Sequence, residues 1–288
     1  MGLTAAVWIT IGAAAIGSIA CLAMRRLVHV SVRRSHHEVG IAVLNQLGVI
    51  YAVLLAFTYS GVWGQYNVAA ESINAECGSL HGMAILAATL PPNHRDPLVQ
   101  AIANYLAAVI EQEWPSMAAN RSDSPHALSA VQALWRTVAV MDTGDGRYTG
   151  IRDQMSALMA TAHQQRETRL FQAGLGMPTI LWVLLISLAA VMVCFVAFCG
   201  IEYLVSQITL TAVFAAAVAL ILVVVRLLDH PFEGVLQLPA SDFQETLSRV
   251  HSIILVSDPG EGAPPELGFA RADAFVMRRG SRRSPRRR

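Results

Sequence analysis

The sequence predicts an all-α membrane protein: four spanning helices, with a helical extramembrane segment between spans two and three. Three observations carry this. Four stretches longer than about 20 residues contain no charged side chain, and about 20 mostly apolar residues are what a helix needs to cross ~30 Å of hydrocarbon. Charged residues make up only 14% of the chain, against roughly 25% in an average soluble domain. No stretch sustains the apolar–polar alternation of a half-buried strand. Inside a bilayer each backbone amide must find its partner within the segment, so the uncharged stretches read as helices. Soluble helices commonly run ~8–20 residues, and four longer ones would not fit one soluble core.

The first uncharged run is Gly2 to Met24. A secretory signal begins with positive charge; here Met1 to Ile9 carry none, and Arg25 and Arg26 follow the run, so an uncleaved anchor is expected. The second run is Val39 to Ala70, with the span placed at 40–61. The helix is expected to continue through Asn67 and Ala70 towards Leu90, where Pro91 and Pro92 stop it. Residues 62–170 become amphipathic and form the extramembrane segment. Within it, Asp96 to Trp114 reads as a helix ended by Pro115, with Leu98, Ile102, Tyr105, Leu106 and Val109 on one face at 3–4 spacing. Ser124 is placed as the cap of a further helix, with Pro125 at its first position, running to about Met141. Asp142 to Gly146 is a turn, and a helix from Ile151 leads through Arg166 and Arg169 into the third span.

The last two uncharged runs are Leu170 to Ile201 and Tyr203 to Val225, with spans at 177–199 and 203–225. Little more than Gly200, Ile201 and Glu202 separates them, which implies a tight antiparallel hairpin. Pro178 sits in the first turn of the third span, where a missing amide donor costs little. Trp182 and Tyr203 lie near span ends, as amphipathic rings prefer. A short helix from Ser241 to Leu255 follows, with Ser241 as N-cap. Residues 257–288 are rich in Pro, Gly and Arg and are expected to be a disordered, solvated tail. The chain thus divides into a first span with its basic loop (1–38), a main domain (39–256) and the tail (257–288).

Chemistry is sparse. The net charge is +1, with arginine supplying all the basic charge. The four cysteines, Cys21, Cys77, Cys194 and Cys199, form no C-x-x-C pair, so neither a zinc site nor a disulfide framework is indicated. Gly174-Leu175-Gly176 falls short of a phosphate cradle. His29, His36 and His37 share a basic loop that repels cations, and Asp142 and Asp145 lack the other ligands of a calcium loop. Glu111 and Glu113 bracket Gln112; two carboxylates alone make no cage, so a solvated helix end is expected there rather than an ion site. No enzymatic constellation, cofactor, metal or nucleic-acid partner is expected.

The second span is the richest in polar groups: Asn45, Gln46, Thr58, Tyr59, Ser60 and Gln65, with Trp63 among them. Polar groups in a bilayer face a bundle interior, a partner or a watery path. At 3–4 spacing, Asn45, Gly48, Ala52, Leu55, Tyr59 and Val62 share a face, and Gly40, Gly48 and Gly61 would let another helix approach. Two readings follow: helix packing with Asn45 and Gln46 as interhelical glue, or a helix lining a pore.

Gly48-Val49-Ile50-Tyr51-Ala52-Val53-Leu54-Leu55-Ala56-Phe57, followed by Trp63-Gly64-Gln65-Tyr66, resembles the bestrophin-like domain family of bacterial membrane proteins. Val109 to Pro115, Gln165 to Leu170 and Leu228 to Gly234 agree with it, so the resemblance runs from about Val39 to Phe243. It implies a remote kinship with bestrophins, pentameric anion channels whose second span lines the pore and carries a hydrophobic neck at i, i+4 spacing. Counting back from Trp63 to Tyr66 places that neck near Val49 and Val53, with polar Asn45 one turn earlier and Tyr59 towards the exit. These four are the candidate pore-lining residues. In some bestrophins the stretch after the last span helps to bind calcium. Asp229 and Glu233 occupy similar places, but the dense acidic run is absent, and calcium is not expected.

The resemblance implies a cytoplasmic middle segment. Arg25, Arg26, Arg33 and Arg34 imply the reverse by the positive-inside rule, and both readings stand at this stage. The expected function is an oligomeric ion channel in the cell membrane, with lipid, further copies of the chain and small ions as its partners. The alternative is a non-conducting structural or sensory membrane protein that binds a partner through its helical extramembrane segment.

Overall fold

The computed structural model describes residues 2–28, 37–141, 146, 148–199 and 203–256. The expectations for His29, His36, Asp142, Asp145 and the arginine tail lie outside these residues. Helices, and no strand, make up the regular structure of the described residues. Four of the helices are long and apolar enough to cross a membrane.

Helix α1 spans Leu3–Leu27. Arg25 and Arg26 fall in its last turn, where they complement the negative end of the helix dipole. Helix α2, His37–Ala88, is 52 residues long. At 1.5 Å per residue it extends roughly 78 Å, more than twice the ~30 Å hydrocarbon thickness. From Val39 to Ala70 it is uncharged and suits lipid; its second half carries Glu71 and Glu76 and projects beyond the bilayer. It ends where expected: Thr89 and Leu90 close a last tight turn onto Leu86 and Ala87, and Pro91 precedes the next helix.

The extramembrane helices are α3 (Pro92–Ala108), α4 (Trp114–Asn120), α5 (Pro125–Ala139), α6 (Thr149–Gly174) and α9 (Ser241–Val256). They surround the projecting half of α2: α6 lies along it, α5 packs on α3, and α9 packs on α2 and α3. Leu80, Met83, Leu98, Ile102, Leu106, Met117, Leu134, Met159 and Phe243 form their fully buried core.

Helix boundaries differ from expectation in three places. Helix α3 begins at Pro92, not Asp96, because a proline suits a first helical position. Pro115 does not end the helix begun in α3. Between α3 and α4 runs a π-helical turn, Val109–Glu113, and Pro115 sits at the start of α4, where an amide donor is dispensable. The third difference is at α6, which stops at Gly174 instead of running into the third span. Leu175 is extended, and α7 begins afresh at Thr179 after Pro178. Ser124 holds the N-cap position of α5, but its hydroxyl makes no capping bond.

In the membrane, α7 (Thr179–Phe198) and α8 (Leu204–Leu228) form the hairpin. Gln207 closes its turn, donating through Nε2 to the carbonyls of Ala197 and Cys199, both at 2.7 Å, and accepting from Arg25 Nε at 2.8 Å. Helix α1 packs along α8 and touches α7. The closest approach is at Gly17, where an added Cβ would lie 3.0 Å from the Ala215 Cβ and 3.1 Å from the Thr211 carbonyl oxygen. Helix α2 docks on α7 through Tyr51, against Leu185, Ala189 and Met192, and on α8 through Val62, against Val225 and Leu228. Gly40, Gly48 and Gly61, expected to admit a neighbouring helix, have nothing within 4 Å of a built Cβ. Within one chain the close helix approach therefore belongs to α1, not α2.

Candidate functional site

Helix α2 is two-sided within the bilayer. Leu44, Leu47, Tyr51, Leu54 and Leu55 lie on the side packed against α7 and α8. The opposite side is bare. Val49 is 62% exposed, Val53 51% and Tyr59 41%, and Asn45, Gln46 and Ser60 are exposed with them. Asn45 and Gln46 make no hydrogen bond among the described residues, so neither is glue between helices of the same chain. The face projected through Asn45, Gly48, Ala52, Leu55, Tyr59 and Val62 splits: Val62 is buried on α8, whereas Asn45, Ala52 and Tyr59 are open. The structure thus puts Asn45, Val49, Val53 and Tyr59 on the surface that the chain leaves uncovered.

Towards the membrane exit that surface becomes aromatic. Tyr59, Trp63 and Tyr66 stack in a ladder at 6.4 and 5.8 Å between centroids, nearly parallel. One turn of helix between successive rings makes this stacking possible. The Tyr66 hydroxyl donates to the Leu236 carbonyl at 3.1 Å and so joins α2 to the loop between α8 and α9.

That loop, residues 229–240, is a knot. Asp229 is buried and its Oδ1 accepts the Met177 amide at 2.8 Å, which fastens the break between α6 and α7. Glu233 Oε1 accepts Arg121 Nε at 2.7 Å. Burial pushes the Glu233 carboxyl up, but the Arg121 hydrogen bond and charge more than offset that and hold it below the usual value. His230 is buried against the linker: a Cβ on Gly176 would lie 3.1 Å from its Cε1. Burial, and then the charge of Arg226, hold its imidazole below the ordinary histidine value. Both carboxylates that could have served calcium are engaged, and no cluster with the makings of a metal site occurs among the described residues.

Beneath the knot lies a buried ion network that sequence reasoning missed. Glu113, expected on a solvated helix end, is fully buried, while Glu111 is exposed. The π turn rotates Glu113 inward, because the wider turn shifts the helix face relative to a 3.6-residue register. Its carboxylate accepts Arg166 Nη2 at 2.5 Å and Arg169 Nη2 at 2.7 Å. Arg169 Nε also donates to Glu76 at 2.9 Å, and the Tyr105 hydroxyl donates to Glu76 Oε1 at 2.5 Å. The Arg169 guanidinium lies over Trp114 and Phe243, 5.6 and 5.2 Å from their centroids. Burial alone would lower the Arg169 pKa, but Glu76 and Glu113 raise it above the ordinary arginine value. Burial and the Glu76 charge raise Tyr105, which stays a neutral donor. Two carboxylates and two guanidiniums cancel. The available signal was Glu76, a lone charge on the apolar face of Ala69, Ile73 and Leu80, with Arg166 and Arg169 one turn apart.

Four stretches far apart in sequence therefore converge where the membrane helices meet the extramembrane bundle: Trp63 to Tyr66, Glu113–Trp114, Arg166 to Arg169 and Asp229 to Glu233. Trp114 joins the last three, because its Nε1 donates to the Leu238 carbonyl at 3.3 Å and its ring meets Phe232 edge-on at 5.5 Å. A family model, the Bestrophin-like domain, matches residues 11–243, which include all four stretches.

The chain belongs to the Bestrophin-like domain family.

The family match begins within α1, further towards the N-terminus than the motifs at Val39 to Phe243. Similar solved structures include a bacterial bestrophin homologue from Klebsiella pneumoniae, determined by Zn-SAD phasing, with a TM-score of 0.69 at 10% identity, covering 84% of this chain and 97% of that one. A point variant of the Klebsiella pneumoniae homologue gives 0.69 at 10% identity over 85% and 98%. At that identity the likeness concerns the fold: a bestrophin-like chain arranges its four membrane helices and extramembrane bundle as these proteins do. No curated protein matches the chain.

Proposed function

We propose that this membrane protein forms an oligomeric ion channel of the cell membrane, with α2 of each copy around a central axis. The observation that supports this most is the uncovered side of α2, with Asn45, Val49, Val53 and Tyr59 on it. Its other side is committed to α7 and α8. An amide such as Asn45 facing lipid is costly and unpartnered; facing a watery axis it is solvated. Val49 and Val53, one turn apart, would form adjacent apolar rings, and such constrictions gate by dewetting. The bestrophin resemblance supports an anion pathway with the extramembrane bundle on the cytoplasmic side.

The test is flux through proteoliposomes containing the purified full-length chain. Chloride-dependent quenching of an entrapped dye is the expected result. A pure, folded oligomer that passes neither chloride nor potassium would overturn the proposal, the more so if a stoichiometric partner co-purifies on the extramembrane helices.

A further inference from the structure

A crevice of about 260 Å³ opens where α1, α7 and α8 meet on the side of the membrane that carries the extramembrane bundle. Its walls are Ile9, Ile186, Ala219, Leu222 and Val223, and Trp182 and Arg226 stand at its end. Trp182 lies in the first turn of α7 and Arg226 in the last turn of α8, so both sit at the level of the headgroups. From Ala219 to Arg226 the helix rises roughly 10 Å, most of the ~15 Å depth of one leaflet's hydrocarbon. Arg226 donates no hydrogen bond and makes no ion pair among the described residues, although the charges of His230 and Glu233 lie close enough to feel it. Glu233 is already held by Arg121, and Asp229 by the Met177 amide.

We propose that this crevice is a binding site for an anionic phospholipid, with one acyl chain along Ile186, Ala219 and Leu222 and the phosphate on the Arg226 guanidinium. The apolar walls match hydrocarbon. The unsatisfied cation at the interface selects a negative headgroup, and Trp182 fits the boundary between them. The three walls come from three helices, so an occupying lipid would also hold α1 against the hairpin. The site does not depend on whether the protein conducts.

The experiment is native mass spectrometry of the delipidated full-length protein, titrated with phosphatidylglycerol or phosphatidylcholine of identical chains. Phosphatidylglycerol adducts are expected to survive at about fivefold lower lipid concentration, the effect of one arginine near an anionic surface. Arg226→Gln should abolish that preference and Arg226→Lys should keep most of it. Ala219→Leu, which fills the crevice, should weaken both lipids. Inorganic phosphate alone should neither bind nor displace the lipid. Equal retention of the two lipids by the wild type, or an undiminished preference in Arg226→Gln, would overturn the site. If Arg226→Gln does not fold, the wild-type comparison and Ala219→Leu still decide.

Discussion

Glu111 and Glu113 are two positions apart and live in different physical worlds. Glu111 is exposed; Glu113 holds two buried guanidiniums. Removing one member of a buried ion network leaves the other charge uncompensated, at a cost of about 3–5 kcal/mol. Glu113→Ala should therefore lower the detergent melting midpoint severely or prevent purification, whereas Glu111→Ala should stay within about 0.5 kcal/mol of wild type. Equal melting curves for the two variants would show that the network carries no stability. His230 adds a pH dependence. Burial and Arg226 depress its folded pKa, so below the ordinary value of about 6.5 the unfolded imidazole takes up a proton that the folded one resists. Stability is complete above that pH and declines as pH falls below it. Melting curves from about pH 7 down to 5 should show this decline, and His230→Gln should flatten it. Asp229, Glu233, Arg121 and Arg226 are the other charged groups around His230, and the lowered Glu233 leaves a residual slope in the variant towards the acid end.

Among the elements, the break between α6 and α7 is the most consequential departure from a continuous helix. Leu175 to Pro178 let the chain leave the extramembrane bundle and enter the bilayer in a new direction, and Asp229 and His230 clamp that corner. The π turn acts in the same region, by turning Glu113 towards Arg166 and Arg169. Within the bilayer, Gly17 sets the distance between α1 and α8. Gly17→Leu would force the two backbones apart against the Ala215 Cβ and Thr211 carbonyl, an overpacking cost of about 1–3 kcal/mol. A lower melting midpoint with unchanged helical circular dichroism is the expected result. Gly48→Leu meets nothing within 4 Å in the same chain. A single copy should tolerate it, so a loss of oligomer on size exclusion would mark Gly48 as a contact between copies.

At the scale of the whole molecule, one long helix belongs to both halves of the protein. Helix α2 offers its outer side to whatever lies beside it in the bilayer and then becomes the centre of the extramembrane bundle. If copies assemble around it, narrowing or widening at Val49 and Val53 must change flux. Replacing both valines with alanine should raise chloride flux by easing dewetting, and Asn45→Leu should lower it by adding an apolar ring. Unchanged flux in both variants, with the oligomer intact, would move the constriction elsewhere.

The sequence by itself determined the helices that cross the membrane, because the bilayer acts as a solvent that every uncharged stretch must satisfy alone, within its own backbone. It also placed the end of α2 at the Pro91–Pro92 pair and the hairpin of α7 and α8, since both follow from local chemistry. The burial of Glu76, Glu113, Arg166 and Arg169 was decided only by the tertiary structure. Each of these charges is tolerable inside only in the presence of partners tens of residues away, and no local window contains them. The same holds for the exposed side of α2: periodicity shows that a helix has faces, but the packing of Tyr51 on α7 and Val62 on α8 decides which face remains free.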